Sequence, residues 1–137
     1  MSLTDRFIID TNTLISALLI KNSVSYKAIE KARDKGLLVF SEETFLEFED
    51  VLLRKKFDRY FSKEERLQII QKTYEGINII AVTSNLQACR DLKDDKFLNL
   101  AIDSAATCIV TGDKDLLTLH PFNGVSILSA ADFLMSY

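Results

Sequence analysis

Arg6-Phe7-Ile8-Ile9-Asp10-Thr11-Asn12-Thr13 is the stretch that decides the fold. Phe7, Ile8 and Ile9 form an uninterrupted apolar run of strand length, and it ends abruptly in an aspartate. Thr11, Asn12 and Thr13 then offer capping side chains to a helix carrying Leu14, Leu18 and Leu19. A buried strand that runs straight into a helix is the opening of a parallel α/β arrangement.

The same alternation recurs downstream. A helix over about Ser25 to Lys35 sets Ala28, Ile29 and Ala32 on one face and stops at Gly36, read as a helix-ending glycine. Leu37 to Phe40 is a strand. Ser41 opens a long helix to about Arg54 with a capping box in which Thr44 replaces the usual Glu. Lys55 to Phe61 is a short helix or turn. Ser62 and Glu65 form a second capping box for a helix that ends near Gly76. Ile77 to Val82 is a strand, and Asp94 to Thr107 a helix, because Phe97, Leu98, Ala101, Ile102 and Ala105 keep a 3.6-residue period. Cys108 to Thr111 is a strand, followed by Gly112-Asp113-Lys114-Asp115 and a short helix through Leu119. A turn at Pro121, a strand from Gly124 to Leu128 and a closing helix from Ala130 to Met135 complete the chain.

Strands alternating with helices predict an α/β fold with a central parallel sheet covered on both faces. The helical stretch from 41 to 76 lacks an intervening strand, so the fold is not a strict βαβ repeat. With 137 residues and no repeat, low-complexity segment or linker, residues 1–137 read as one domain. Such a chain buries roughly 68% of its unfolded surface and needs no disulfide or structural metal.

Composition excludes several classes. Cys89 and Cys108 form no CxxC pair and lie apart from His120, the single histidine, which removes zinc fingers and thioredoxin-type chemistry. Both cysteines read as small buried apolar residues, and the reducing cytoplasm is the expected location. The apolar stretch Leu14 to Ile20, broken by Ser16, falls far short of the 18 to 20 residues, roughly, that span a bilayer. No membrane association and no secretory signal are expected. The net charge of −3 leaves a nucleic-acid ligand unexplained unless cations neutralise the protein's own acids.

Asp10 and Asp113 each follow a strand, so both should project from the carboxyl edge of the sheet, where ligands of open parallel sheets bind. Capping a helix is an equally simple reason for Asp10. Glu47 shares a helix side with Glu43 and Asp50, opposite Phe45, Phe48 and Leu52, which reads equally as a solvated face. Asp94 and Asp95 open a helix, where the macrodipole favours acids. Together, however, clustered carboxylates repel unless cations bind between them, and oxygen-only ligation suits Mg²⁺ or Mn²⁺. Two such ions about 4 Å apart can promote phosphodiester cleavage.

Four segments, in order, resemble the PIN-domain family, in particular the toxin components of bacterial and archaeal toxin–antitoxin systems. They are Phe7 to Thr13, Glu47 to Leu52 with Lys56-Phe57, Asp91 to Leu98 with Ala101, and Val110-Thr111-Gly112-Asp113-Lys114-Asp115-Leu116-Leu117. The resemblance implies a three-layer α/β/α fold with four to five parallel strands and a metal-dependent endoribonuclease acting on single-stranded RNA. It also implies a homodimer and an antitoxin protein partner. Carried over by position, it makes Asp10, Glu47, Asp95 and Asp113 the catalytic, metal-binding acids. Asp95 is preferred to its neighbour Asp94 for its distance from Thr111-Gly112-Asp113. A helix turns about 100° per residue, so the two cannot point the same way. Asn12 is expected to orient Asp10, Thr111 to assist near Asp113, and Asp94 and Asp115 to act as supporting groups.

Arg54, Lys55, Lys56 and Arg59 form a basic group suited to RNA, as do Lys21, Lys27, Lys31, Arg33 and Lys35, although charge runs are more often solvated faces. Tyr26, Tyr60, Tyr74 and the phenylalanines can stack on bases but read mostly as core. His120, beside Pro121, reads as structural. Two rivals accompany the nuclease reading. An aspartyl-phosphate phosphatase also ends a strand in Asp-Thr, but Asn12 stands where its general acid would be. A non-catalytic PIN-like module binding RNA or protein is the other, although all the expected acids are present.

Overall fold

The computed structural model describes residues 5–89 and 91–137. Strands β1 (Arg6–Ile9), β2 (Leu37–Phe40), β3 (Asn78–Ile79), β4 (Cys108–Val110) and β5 (Ser126–Leu128) build a five-stranded sheet. Their order is β3-β2-β1-β4-β5 and every pair is parallel. All carboxyl ends therefore share one edge. The chain leaves β1 toward β2 on one side, while β4 pairs with β1 on the other. The gap between the ends of β1 and β4 is thus the switch point at which parallel sheets bind ligands.

Helices α1 (Thr11–Leu19), α2 (Val24–Lys35), α3 (Glu42–Leu52), α4 (Lys63–Glu75), α5 (Asp95–Ser104), α6 (Lys114–Leu117) and α7 (Ala130–Ser136) surround the sheet. Alternation along β1 divides the core in two. Phe7 and Ile9 join Leu14, Ala28, Phe45, Phe48 and Phe133 on the face covered by α1, α2, α3 and α7. Ile8 joins Phe97, Leu98, Ala101 and Leu116 beneath α5 and α6. Burial on both faces explains why the strands are continuous apolar runs. Phe7 also meets the rings of Phe133 and Tyr137 edge-on at 5.4 and 5.7 Å, which fastens the closing helix to the central strand.

Both capping boxes form, at Ser41/Thr44 and Ser62/Glu65. The stretch after α3 begins with a 3-10 turn at Lys55–Phe57. There the buried Arg66 donates to the carbonyls of Leu52 and Arg54 at 3.3 and 3.2 Å and to Asp58 at 2.7 Å, securing α4. Both cysteines are buried and free, and His120 accepts the Ile127 amide through Nδ1 at 2.8 Å.

Gly36 ends α2 as expected, with φ −176°; a Cβ there would lie 2.3 Å from the Asp5 carbonyl, so close approach of the chain requires the glycine. Three expectations need correcting. The helix expected to reach Thr107 stops at Ser104, because Ala105 turns left-handed at φ 52°. Tyr60 and Tyr74 are more than half exposed rather than core. The strand expected over Ile77 to Val82 is confined to Asn78–Ile79.

The cause of this shortening lies in α5. The Ile80 amide still reaches Phe40, but the amides of Thr83 and Ser84 bind Asp103 at 2.6 and 2.9 Å. Leu86 exchanges both backbone groups with the Asn99 amide, at 2.7 and 3.3 Å. The amides of Ala88 and Cys89 bind Asp95 at 3.0 and 2.7 Å. Asp95, Asn99 and Asp103 are spaced four residues apart on one helix face. Their side chains satisfy the backbone groups that a neighbouring strand would otherwise satisfy.

Candidate active site

Asp10 follows β1 and is 5% exposed. Its Oδ1 caps α1 by accepting the Thr13 amide at 2.9 Å, and its Oδ2 accepts the Thr111 hydroxyl at 2.5 Å. Capping and a site position therefore coexist in one side chain. Burial pushes its carboxyl above the usual range. The bonds from Thr111 and Thr13 oppose that rise, and the nearby charge of Asp113 adds to it.

Asp113 follows β4, whose Val110 is in register with Ile9. Its amide donates to the Thr111 hydroxyl oxygen at 3.0 Å, and its carboxylate caps α6 through the amides of Asp115 and Leu116 at 2.8 and 3.2 Å. Thr111 is fully buried. One hydroxyl group thus joins the two aspartates that end the adjacent central strands.

Asp94 and Asp95 point in different directions. A 3-10 turn at Leu92–Asp94 leads into α5, and Asp94, at the cap position, makes no capping bond. Instead its carboxyl lies near Asp113, whose charge acts on it. Burial first, then the charges of Asp113 and Asp91, push it up to about 6, against a smaller opposing pull from Lys96. Asp95 points elsewhere. Burial raises its carboxyl, but the Cys89 and Ala88 amides outweigh burial and hold it below the usual range. Its other oxygen is buried without a partner. The turn sets the phase of α5, so Asp94 faces Asp113 and Asp95 faces the 83–89 segment.

Glu47 reaches the same edge from α3. Its Oε1 accepts the hydroxyl of Thr11, the residue after Asp10, and its Oε2 lies 2.7 Å from the Lys96 ammonium. It is therefore not simply part of a solvated face, whereas Asp50 on the same helix is 76% exposed and meets only Arg54. Lys96 has no role legible in the sequence, because Asp94 and Asp95 just before it carry the motif. Bonds and, between Asp113, Asp94 and Lys96, charge acting through space order these groups as a ring: Asp10, Thr111, Asp113, Asp94, Lys96, Glu47, Thr11. Within it Asp113 lies near enough to Asp10 and Asp94 to act on both, while Glu47 bonds Thr11 and Lys96. Among the described residues, no three histidine, cysteine, aspartate or glutamate side chains converge on a single ion position.

The supporting residues divide. Thr111 holds both aspartates. Asn12 is exposed and does not bond Asp10, contrary to expectation, because the Thr13 amide and Thr111 hydroxyl take those oxygens. Asp115 contributes its amide to Asp113. Arg54, Lys55, Lys56 and Arg59 are all exposed. Beside Asp10 and Asp113 opens a cleft of about 290 Å³ lined by Asn12, Ser16, Ser25 and Ser129. These serines were not anticipated, although Ser16 left a signal as the single polar break in the apolar run Leu14 to Ile20.

A parallel sheet with carboxylates gathered at its switch point defines a class of α/β proteins with an acidic site. Residues 6–115 match the model of a PIN domain, and the chain belongs to that family, whose members are generally nucleases. It is 32% identical over 120 residues to the uncharacterized protein MJ1680 of Methanocaldococcus jannaschii, covering 86% of this chain and 77% of that one. Its fold is similar to that of PAE2754 from Pyrobaculum aerophilum, with a TM-score of 0.64 at 15% identity over 98% of this chain and 90% of the other. It is also similar to VapBC2 from Rickettsia felis, solved bound to a DNA fragment from their promoter. There the TM-score is 0.60 at 13% identity, over 89% of this chain and 96% of the other. The fold expected from sequence is the observed one, with five strands.

Proposed function

We propose that this protein is a divalent-metal-dependent endoribonuclease that cleaves single-stranded RNA. The observation that carries the reading is a buried Asp10 joined through the Thr111 hydroxyl to Asp113, with Asp94 near Asp113, where two central strands end. Carboxyls crowded in this way favour a cation among them. The donors are all oxygen, which fits Mg²⁺ or Mn²⁺. Asp10, Asp94, Asp113 and Glu47 would hold the metal, with Asp94 taking the role that the motif spacing gave to Asp95. When bound, the metal supplies Lewis acidity and neutralises phosphate charge, which also answers the net charge of −3.

The chain's own groups do the rest. Thr111 fixes Asp10 and Asp113 relative to each other. The hydroxyl-lined cleft at Asn12, Ser16, Ser25 and Ser129 offers neutral donors and acceptors to a sugar or base beside the acids. Arg54, Lys55, Lys56 and Arg59 supply positive charge along the RNA. Family membership and the fold shared with a VapBC protein support the role of toxin with an antitoxin partner, and the same reading expects a homodimer in the cytoplasm. Among the described residues no helix is long and apolar enough to cross a membrane. The phosphatase alternative gains nothing: both Asp10 oxygens already accept hydrogen bonds, and Asn12 carries no acidic proton.

The test is incubation of single-stranded RNA with the protein in Mn²⁺ or in chelator, comparing wild type with Asp10→Asn. Cleavage requires both Mn²⁺ and Asp10. Equal cleavage by the two proteins removes the proposal.

A further inference from the structure

Lys96 is the one group of the ring that carries positive charge, and its position is unusual for a lysine. Its side chain is 9% exposed, although lysine is almost never buried without a partner. The ammonium is held by Glu47 Oε2 at 2.7 Å and by the Lys93 carbonyl, and its charge draws the Asp94 carboxyl downward. Glu47 and Lys96 lie on different helices, so the pair is a tertiary contact rather than an incidental neighbour along one helix. With Thr11 on its other oxygen, Glu47 has both oxygens engaged.

We infer that Lys96 is a resident counter-cation that competes with the divalent metal for Glu47 and lowers the metal affinity of the protein without substrate. The inference rests on the metal reading above. The charge of Asp113 raises the carboxyls of both Asp10 and Asp94, and a protonated amine paired with Glu47 near Asp94 offsets that negative charge. The same charge opposes an incoming divalent ion. Two effects of removing it have opposite signs. Loss of the ion pair frees Glu47 to rotate and would weaken binding, whereas loss of a positive charge paired with one of the carboxylates that would hold the ion would strengthen it. The second is larger, because interaction between a partly buried charge and a divalent ion exceeds the entropy of one glutamate side chain. A lysine that served only to hold Glu47 in place predicts the reverse sign.

The experiment is Mn²⁺ binding to the full chain in the absence of RNA, followed by the free-ion signal in electron paramagnetic resonance. Lys96→Met should bind Mn²⁺ at least tenfold more tightly than wild type, and Lys96→Arg, which keeps the charge, should bind within about threefold of it. Equal or weaker binding by Lys96→Met overturns the inference and leaves the metal site standing. Absence of Mn²⁺ binding in all three proteins removes the site and the inference together. Unsubstituted protein gives a second reading that does not depend on a variant folding. Amine acylation followed by mass spectrometry should label Lys96 several-fold faster in saturating Mn²⁺ than in chelator, with exposed Lys63 unchanged. Unchanged labelling of Lys96 overturns the inference as well.

Discussion

The hydroxyl of Thr111 lies 2.5 Å from Oδ2 of Asp10, across the boundary between the two central strands. Because the same oxygen receives the Asp113 amide, a neutral side chain fixes the spacing of two groups that would otherwise repel. Thr111→Val keeps the shape and removes both bonds. It should destabilise the protein by about 1–3 kcal/mol, the cost of leaving a buried acceptor unsatisfied. Urea unfolding measures this, and Thr111→Ser should recover most of the loss. A valine variant as stable as wild type shows that the bridge contributes nothing.

Asp94 and Asp95 separate cleanly by substitution. Asp94→Asn removes a carboxylate facing Asp113 and should lower RNA cleavage by at least about 100-fold, beyond what loss of an outer-sphere partner costs. Asp95→Asn retains an oxygen for the Ala88 and Cys89 amides and should keep most activity. Rates from both proteins decide the assignment. The opposite ranking restores the choice made from motif spacing.

Without metal, stability should rise as the solution becomes mildly acidic. The Asp94 carboxyl sits at about 6 in the fold against an ordinary value of 3.8, and Asp10 is raised as well. For a raised group, the stabilising contribution is complete below the unfolded value and is lost as pH rises through the folded value. Thermal unfolding in chelator should therefore show a higher Tm at pH 5 than at pH 7. Asp95 and Asp103 are lowered and act oppositely, but their window lies below pH 3.8, so the two effects do not overlap. A Tm that falls steadily from pH 7 to pH 5 contradicts the crowding of these carboxyls.

Asn99 joins α5 to Leu86 through both of its amide atoms. Asn99→Ala leaves two backbone groups without their partner and should cost about 2 kcal/mol. Hydrogen exchange locates the effect: the Leu86 amide should exchange faster, whereas the β1 and β4 amides change only by the global loss. Uniform acceleration throughout the sheet shows instead that Asn99 acts on the whole core.

Much of the architecture was legible because its causes are local. A capping box acts over three residues, and an apolar run of four needs no distant information to be read as a buried strand, so Ser41, Ser62, Leu37–Phe40 and Cys108–Val110 were readable directly. Asp10 and Asp113 were readable for the same reason: each ends a strand, and parallel strands put their ends on one edge. The strand after Ile77 was overextended because the partners of Thr83, Ser84 and Leu86 lie on α5, some 13 to 20 residues later, as side chains rather than as another strand.

The chain order and residue types alone determined a parallel sheet with acids at its carboxyl edge. Only the tertiary structure decided that Asp94 lies near Asp113 while Asp95 faces the 83–89 segment, that Lys96 pairs with Glu47, and that Ser16 lines the cleft. The physical reason is angular. Consecutive helix residues diverge by about 100°, so a single 3-10 turn at Leu92–Asp94 exchanges the roles of neighbours, and its phase is set by packing of α5 on the sheet.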